Sequence, residues 1–286
     1  MSRIFLFLAT NFAVIIVLSV IMSLLGLNQQ GSSMLPTIIF AAVFGMGGSF
    51  ISLWMSKRMA LRSTGAQIID APKNATESWL LDTVKRQAEN AGIGMPDVAI
   101  FDSPALNAFA TGAKRDDALV AVSSGLLNSM KEGEVEAVLG HEISHVANGD
   151  MVTLTLIQGV VNTFVIVFAR VVASVISRGR DGRGGGIGYF IAYMIAQAVL
   201  GFLASLIVMW FSRHREFRAD AGGATLASRD KMIAALERLG AGQTAELPES
   251  MAAFGINSGL KRGLGALLRT HPPLGDRINA LRSMPP

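Results

Sequence analysis

His141, Glu142 and His145 stand in the stretch GHEISHVANGD, Gly140 to Asp150, and use two of the chain's four histidines. Helical residues four apart share a face about one turn apart, so the two imidazoles could bind one Zn²⁺ with each ring nitrogen at about 2.0–2.1 Å. Glu142 follows the first histidine and cannot point the same way. It is placed to reach the open side of such a metal, take a proton from attacking water and pass it to the leaving amine. This H-E-x-x-H arrangement is the signature of zinc peptidases. A solvated helix face spelling the same letters is the poorer account in a chain with so few histidines.

A catalytic zinc of this kind takes a third protein donor. The chain has no cysteine, which excludes disulfides, iron–sulfur clusters and thiolate zinc sites and leaves His and carboxylate as donors. The densest downstream carboxylate cluster is in SRHREFRADAGGA, where Glu216 and Asp220 are again four apart on an expected helix. Glu216 is the candidate third ligand, completing a site for one zinc per chain. Asp220 is the candidate partner that orients a ligand imidazole from behind. His214 is a less favoured donor, and the competing account pairs Glu216 with Arg213 or Arg218 on a surface helix.

The elements that must position these residues include membrane helices. Only 16% of residues are charged and 51% are hydrophobic, against about a quarter charged in soluble domains. No Asp, Glu, Lys or Arg occurs between Arg3 and Lys57. Two spans fit there, Ile4–Leu27 and Leu35–Met55, each near the roughly 20 residues that cross hydrocarbon. The first is expected to be a retained anchor, since its apolar core is long and a second span follows at once. A third, weaker span begins at Met151, interrupted by Arg170, and a fourth lies within Gly184–Ser212. Two crossings between His145 and Glu216 keep both halves of the metal site on one side of the membrane. Lys57, Arg58 and Arg62 after the second span place that side in the cytoplasm. Arg178, Arg180 and Arg183 in the hairpin turn run against this preference. The net charge of +4 belongs to residues flanking the spans, and no basic stripe interleaved with aromatics suggests nucleic acid.

Soluble composition begins near Ala71. A helix is expected from about Thr76 to Asn90, then short strands at Asp97–Phe101, Asn107–Gly112 and Ala118–Val122, forming a small antiparallel sheet. A helix from about Lys131 to Asn148 carries the histidines, and another runs through DKMIAALERL. The expected division is 1–56, two membrane helices; 57–150, the first part of a cytoplasmic catalytic domain; 151–212, a hydrophobic hairpin; and 213–286, the second part of that domain.

With NAFATG, GHEISHVANGD, RHREFRADAGGA and THPPLGDRI in this order between and after hydrophobic segments, the chain resembles the HtpX family of membrane zinc metallopeptidases, related to the CAAX prenyl endopeptidases. The resemblance covers essentially the whole chain. It implies an α+β, zincin-like (gluzincin) catalytic domain joined to four membrane helices, with zinc on His141, His145 and Glu216, Glu142 as general base and Asp220 behind a ligand. It also implies that Asn107, Ala108, Phe109, Ala110 and Thr111 form an edge strand on which an extended substrate pairs. His271, together with Arg277, would support the oxyanion. The implied activity is endoproteolysis of damaged or misassembled membrane proteins from the cytoplasmic face of a bacterial inner membrane, in quality control under stress. The expected partners are therefore protein or peptide substrates and the lipid bilayer. A membrane adaptor with a structural zinc site, or a hydrolase of a nonpeptide substrate, are the alternatives. Intact Glu142 speaks against the first and a pairing strand against the second.

Overall fold

The structure, a computed structural model, describes residues 13–20, 23, 35–181, 186–241 and 271–285. Two compact units divide the chain: Met1–Ser52 with Val152–Val208, and Leu53–Met151 with Met209–Pro286.

The first unit is helical and apolar. It takes in parts of α1 (Leu35–Thr64), α5 (Asp150–Asp181) and α6 (Ile187–Leu226). These three are long and apolar enough to cross a membrane. The first expected span, Ile4–Leu27, lies mostly outside the described residues, of which 13–20 and 23 are helical. Close packing follows from small residues. A Cβ on Gly45 would stand 2.5 Å from Thr163 Oγ1, and one on Gly159 would stand 3.1 Å from Met46 Cα, so backbone meets backbone as membrane helices require. Large apolar side chains such as Phe44, Ile195 and Phe202 remain exposed, as suits a surface facing lipid. The Arg170 guanidinium lies 4.5 Å from the centroid of the Phe40 ring, a cation–π contact that lowers the cost of a charge in an apolar helix.

The second unit holds a four-stranded sheet of β1 (Gln67–Ile68), β2 (Asp97–Phe101), β3 (Ala108–Lys114) and β4 (Asp117–Ser123), in the order β1-β2-β4-β3. Around it lie α2 (Ala75–Asn90), α3 (Ser124–Ser129), α4 (Glu132–Asn148), α7 (Arg229–Ala241) and α8 (Leu274–Arg282). The sheet is mixed, which corrects the antiparallel expectation: β4 runs parallel to β2 and antiparallel to β3. The reason is burial. Ala118 to Ser123 are all buried, so this strand takes an inner position between β2 and β3. Two chain reversals separate it from β2, and two reversals restore the direction.

Both faces of the sheet are covered. Ala108, Ala110, Val120 and Val122 pack with residues of α2 and α4 such as Leu80 and Val138. Phe109, Leu119 and Ala121 pack on the opposite face with Ala60 and Leu61 of α1. Strand β3 ends the sheet. Ser123 N–H donates to the Asn107 carbonyl at 2.9 Å, so by antiparallel alternation Phe109 and Thr111 face β4, while the peptide groups of Ala108 and Ala110 point to the other side, where the described residues add no further strand.

Candidate metal centre

Helix α4 begins where Lys131 N–H donates to Glu134 Oε2 at 2.8 Å, and it ends at Gly149, whose φ of 71° is left-handed and suits glycine. Every residue from Ala137 through Val146 is buried, so His141, Glu142 and His145 belong to no solvated face. The left-handed turn starts α5 at Asp150 and brings that carboxylate back to His145, with Nδ1 2.7 Å from Oδ2.

Helix α6 brings in the carboxylate that could serve as a third donor. It crosses α4 at glycines: a Cβ on Gly222 would meet Ser144 Oγ at 2.3 Å, and one on Gly223 would meet His141 N at 3.0 Å. This approach brings Glu216 to the histidines. The surface-pair account of Glu216 fails, since its side chain has no exposure and Arg218 binds Asp150 at 2.8 Å instead.

The donor atoms converge. His141 Nε2 and His145 Nε2 are 3.1 Å apart, His141 Nε2 is 3.5 Å from Glu216 Oε2, and His145 Nε2 is 3.3 Å from Glu216 Oε1. Ligands at about 2.0–2.1 Å on a tetrahedral ion are about 3.3 Å from one another, so the three donors fit one zinc. The remaining nitrogens are engaged from behind: His145 Nδ1 by Asp150, and His141 Nδ1 by Asp220 Oδ1 at 2.9 Å. An ionised carboxylate only accepts, so each Nδ1 must donate, which turns each Nε2 toward the cluster. Glu216 Oε1 is buried with no hydrogen-bond partner among the described residues, which leaves it open to a metal.

Charges hold this cluster in order. Burial alone would lower the His141 pKa, but hydrogen bonds to Asp220 and Glu216 and the Asp220 charge outweigh it and raise it to about 9. Burial lowers the His145 pKa too, yet Glu216 and Asp150 leave it raised. Glu216 is pushed up by burial and held well below the carboxylate range by His271, His145 and His141. For Asp220, burial is outweighed by the charge and hydrogen bonds of Arg277 and by His141, which bring it to about 2.

Of the remaining candidates, His271 places Nδ1 2.6 Å from Glu216 Oε2, and its Nε2 is buried without a partner among the described residues. Arg277 is fully buried and grips Asp220 twice, through Nε at 2.7 Å and Nη2 at 2.5 Å. Its Nη1 lies 3.9 Å from Glu216 Oε2. Asn107, Ala108, Phe109, Ala110 and Thr111 are all buried. The side-chain polar atoms of Asn107 and Thr111 have no hydrogen-bond partner among the described residues. His214 is exposed and bonds the Trp210 carbonyl, away from the donors. Glu142 is buried, at 4% exposure.

Two neighbours escaped the sequence reading. Asp150 closes the motif's own stretch, and its signal was a carboxylate directly after a helix-ending glycine. Arg215, 6% exposed, carries no pattern that sets it apart from Arg213 and Arg218.

Residues 74–285 match the family described as peptidase family M48. Protease HtpX of Aeromonas hydrophila subsp. hydrophila is 60% identical over 293 residues, covering 99% of this chain and 100% of that protein. Protease HtpX of Xanthomonas campestris pv. campestris is 59% identical over 287 residues, covering 99% and 97%. The crystal structure of S. mikatae Ste24p superposes with a TM-score of 0.55 at 18% identity, over 93% of this chain and 66% of that one. At that identity the likeness speaks for the fold.

Proposed function

The chain belongs to peptidase family M48 and, within it, to the HtpX proteases, and on that premise we propose that it is a zinc endopeptidase of the bacterial inner membrane that cuts damaged or misassembled membrane proteins from the cytoplasmic side. That it is a metallopeptidase follows from the family.

The observation that carries it is a buried Glu142 between two imidazoles, each backed by a carboxylate, whose free nitrogens converge with Glu216. Zinc held by His141, His145 and Glu216 would supply the Lewis acid that polarises the scissile carbonyl and acidifies the attacking water. Glu142 takes the proton of that water and delivers it to the leaving amine. Asp150 and Asp220 fix the ligand tautomers, and Arg277 holds Asp220 ionised. The free edge of β3, at Ala108 and Ala110, offers peptide groups to an extended substrate. Asn107 and Thr111 offer buried polar atoms without hydrogen-bond partners among the described residues. His271 lies against the ligand carboxylate, where it can help hold the developing oxyanion.

The test is wild type against Glu142→Gln, purified whole in detergent with zinc and offered an unfolded protein. The expected result is equal zinc content with cleavage lost in the variant. Cleavage by both at the same rate refutes the assignment of Glu142. Zinc bound by both with no cleavage by either identifies a structural site.

A further inference from the structure

Arg215 is the charged side chain at the centre that the mechanism above leaves unused. It precedes Glu216 on α6 and is 6% exposed. Its Nε lies 3.7 Å from Glu216 Oε1, beyond hydrogen-bond length. Nε and Nη1 are both buried with no hydrogen-bond partner among the described residues. A buried guanidinium in this condition is costly unless an anion reaches it. Glu216, whose Oε1 is the carboxylate oxygen at 3.7 Å, would share its charge with the metal it is placed to hold.

The other donors nearby are constrained. His271 Nδ1 is bound to Glu216, so its Nε2 can donate only from an imidazolium. Arg277 spends two of its nitrogens on Asp220, and its Nη1, buried with no hydrogen-bond partner among the described residues, lies 3.9 Å from Glu216 Oε2. Arg215 has N–H donors to give. Donors left unmet in the ground state can be met by charge that develops in the transition state, which is what transition-state stabilisation needs.

Building on the peptidase reading, we propose that Arg215 is a further catalytic residue, whose unpaired N–H groups bond the scissile carbonyl oxygen as it becomes an oxyanion. Water oxygen bonds the carbonyl carbon, the carbonyl π pair moves to oxygen and is held by Arg215, and the water proton goes to Glu142. The pair then returns, the C–N bond breaks, and the amine leaves with that proton.

The experiment compares wild type, Arg215→Met and Arg215→Lys as full chains in detergent. Three quantities are read: zinc content and melting temperature, kcat and KM on a peptide, and the affinity of a phosphinic analogue of that peptide, an anionic tetrahedral mimic. Expected for Arg215→Met are unchanged zinc, an unchanged or higher melting temperature in the zinc-free protein, and KM within about twofold. Its kcat should fall about 10²–10³-fold, and phosphinic-peptide affinity should fall by a comparable factor. Arg215→Lys should recover part of both. Zinc loss or a lowered melting temperature in step with activity makes Arg215 a structural partner of Glu216 and overturns the proposal. So does a rise in KM alone, confined to peptides with an acidic residue beside the cut, which makes it a specificity residue. If wild type binds zinc and the phosphinic peptide yet hydrolyses nothing, the peptidase reading fails, while the inhibitor affinities still decide Arg215.

Discussion

At the residue scale, the two imidazoles differ in who holds them, and that difference is measurable. Asp150 bonds His145 Nδ1 at 2.7 Å and is itself fully buried. Asp150→Asn should therefore weaken zinc binding about 10- to 100-fold, read by competition with a chromophoric chelator. An unchanged affinity would show that His145 needs no anchor. In the zinc-free protein the raised value of His141, about 9, means that zinc must displace a proton at neutral pH. Zinc affinity should rise about tenfold per pH unit from 7 toward 9 and then level. Calorimetry in buffers of differing protonation enthalpy should count one proton released from this histidine. The same shifts act on the zinc-free fold. His141 stabilises it fully below its ordinary 6.5 and ceases to do so as pH rises through about 9. Asp220 stabilises it above its ordinary 3.8 and ceases to do so as pH falls through about 2. The three residues that converge, His141, His145 and Glu216, were legible as candidate donors from type and spacing. Asp150 was not assigned, because its role depends on a left-handed residue at Gly149, between two helices, that no local pattern marks as bringing the carboxylate to His145.

At the element scale, the site depends on how closely α4 and α6 approach. Gly222 has room for no Cβ, which would stand 2.7 Å from Ser144 Cβ as well as 2.3 Å from its hydroxyl. Gly222→Ala should force the helices apart, lower stability by about 1–3 kcal/mol and reduce zinc affinity at least tenfold, as seen by thermal unfolding with and without zinc. Retained zinc affinity would mean that the donors follow the displaced helix. The sheet edge makes a separate prediction. If substrate pairs along β3, N-methylation of alternate amides in a peptide substrate should raise KM more than about tenfold while methylation of the intervening amides does little. Equal effects at all positions would rule out strand pairing. The strands were legible from apolar runs between turn signals, and β2 lies where the sequence places it. The parallel pairing of β4 was not, because strand order depends on which strand is most deeply buried.

At the scale of the whole molecule, α5 and α6 each carry a residue of the centre, Asp150 and Glu216, and each runs on into the apolar unit. The sequence reading divided α6 at Ser212, where composition changes. The structure has one helix of 40 residues instead, since a change of solvent does not interrupt backbone hydrogen bonding. Replacing residues 152–208 by a flexible linker should therefore abolish zinc binding, because the remaining helix ends lose the continuation that holds their direction. Zinc stoichiometry of that protein, measured after gel filtration, decides it, and full occupancy would make the apolar unit an anchor only.

What the sequence determined by itself was the chemistry: two imidazoles and a base at helical spacing, a carboxylate pair downstream, and apolar segments long enough for lipid. These are properties of residue type and local period, which neighbours along the chain are enough to express. The tertiary structure alone decided which carboxylate stands behind each histidine, that β4 lies between β2 and β3, and that Arg215 is buried beside Glu216 with donors unmet. Those depend on close approach between segments far apart in sequence, at Gly222 and Gly223 above all, and no local pattern encodes a distance of that kind.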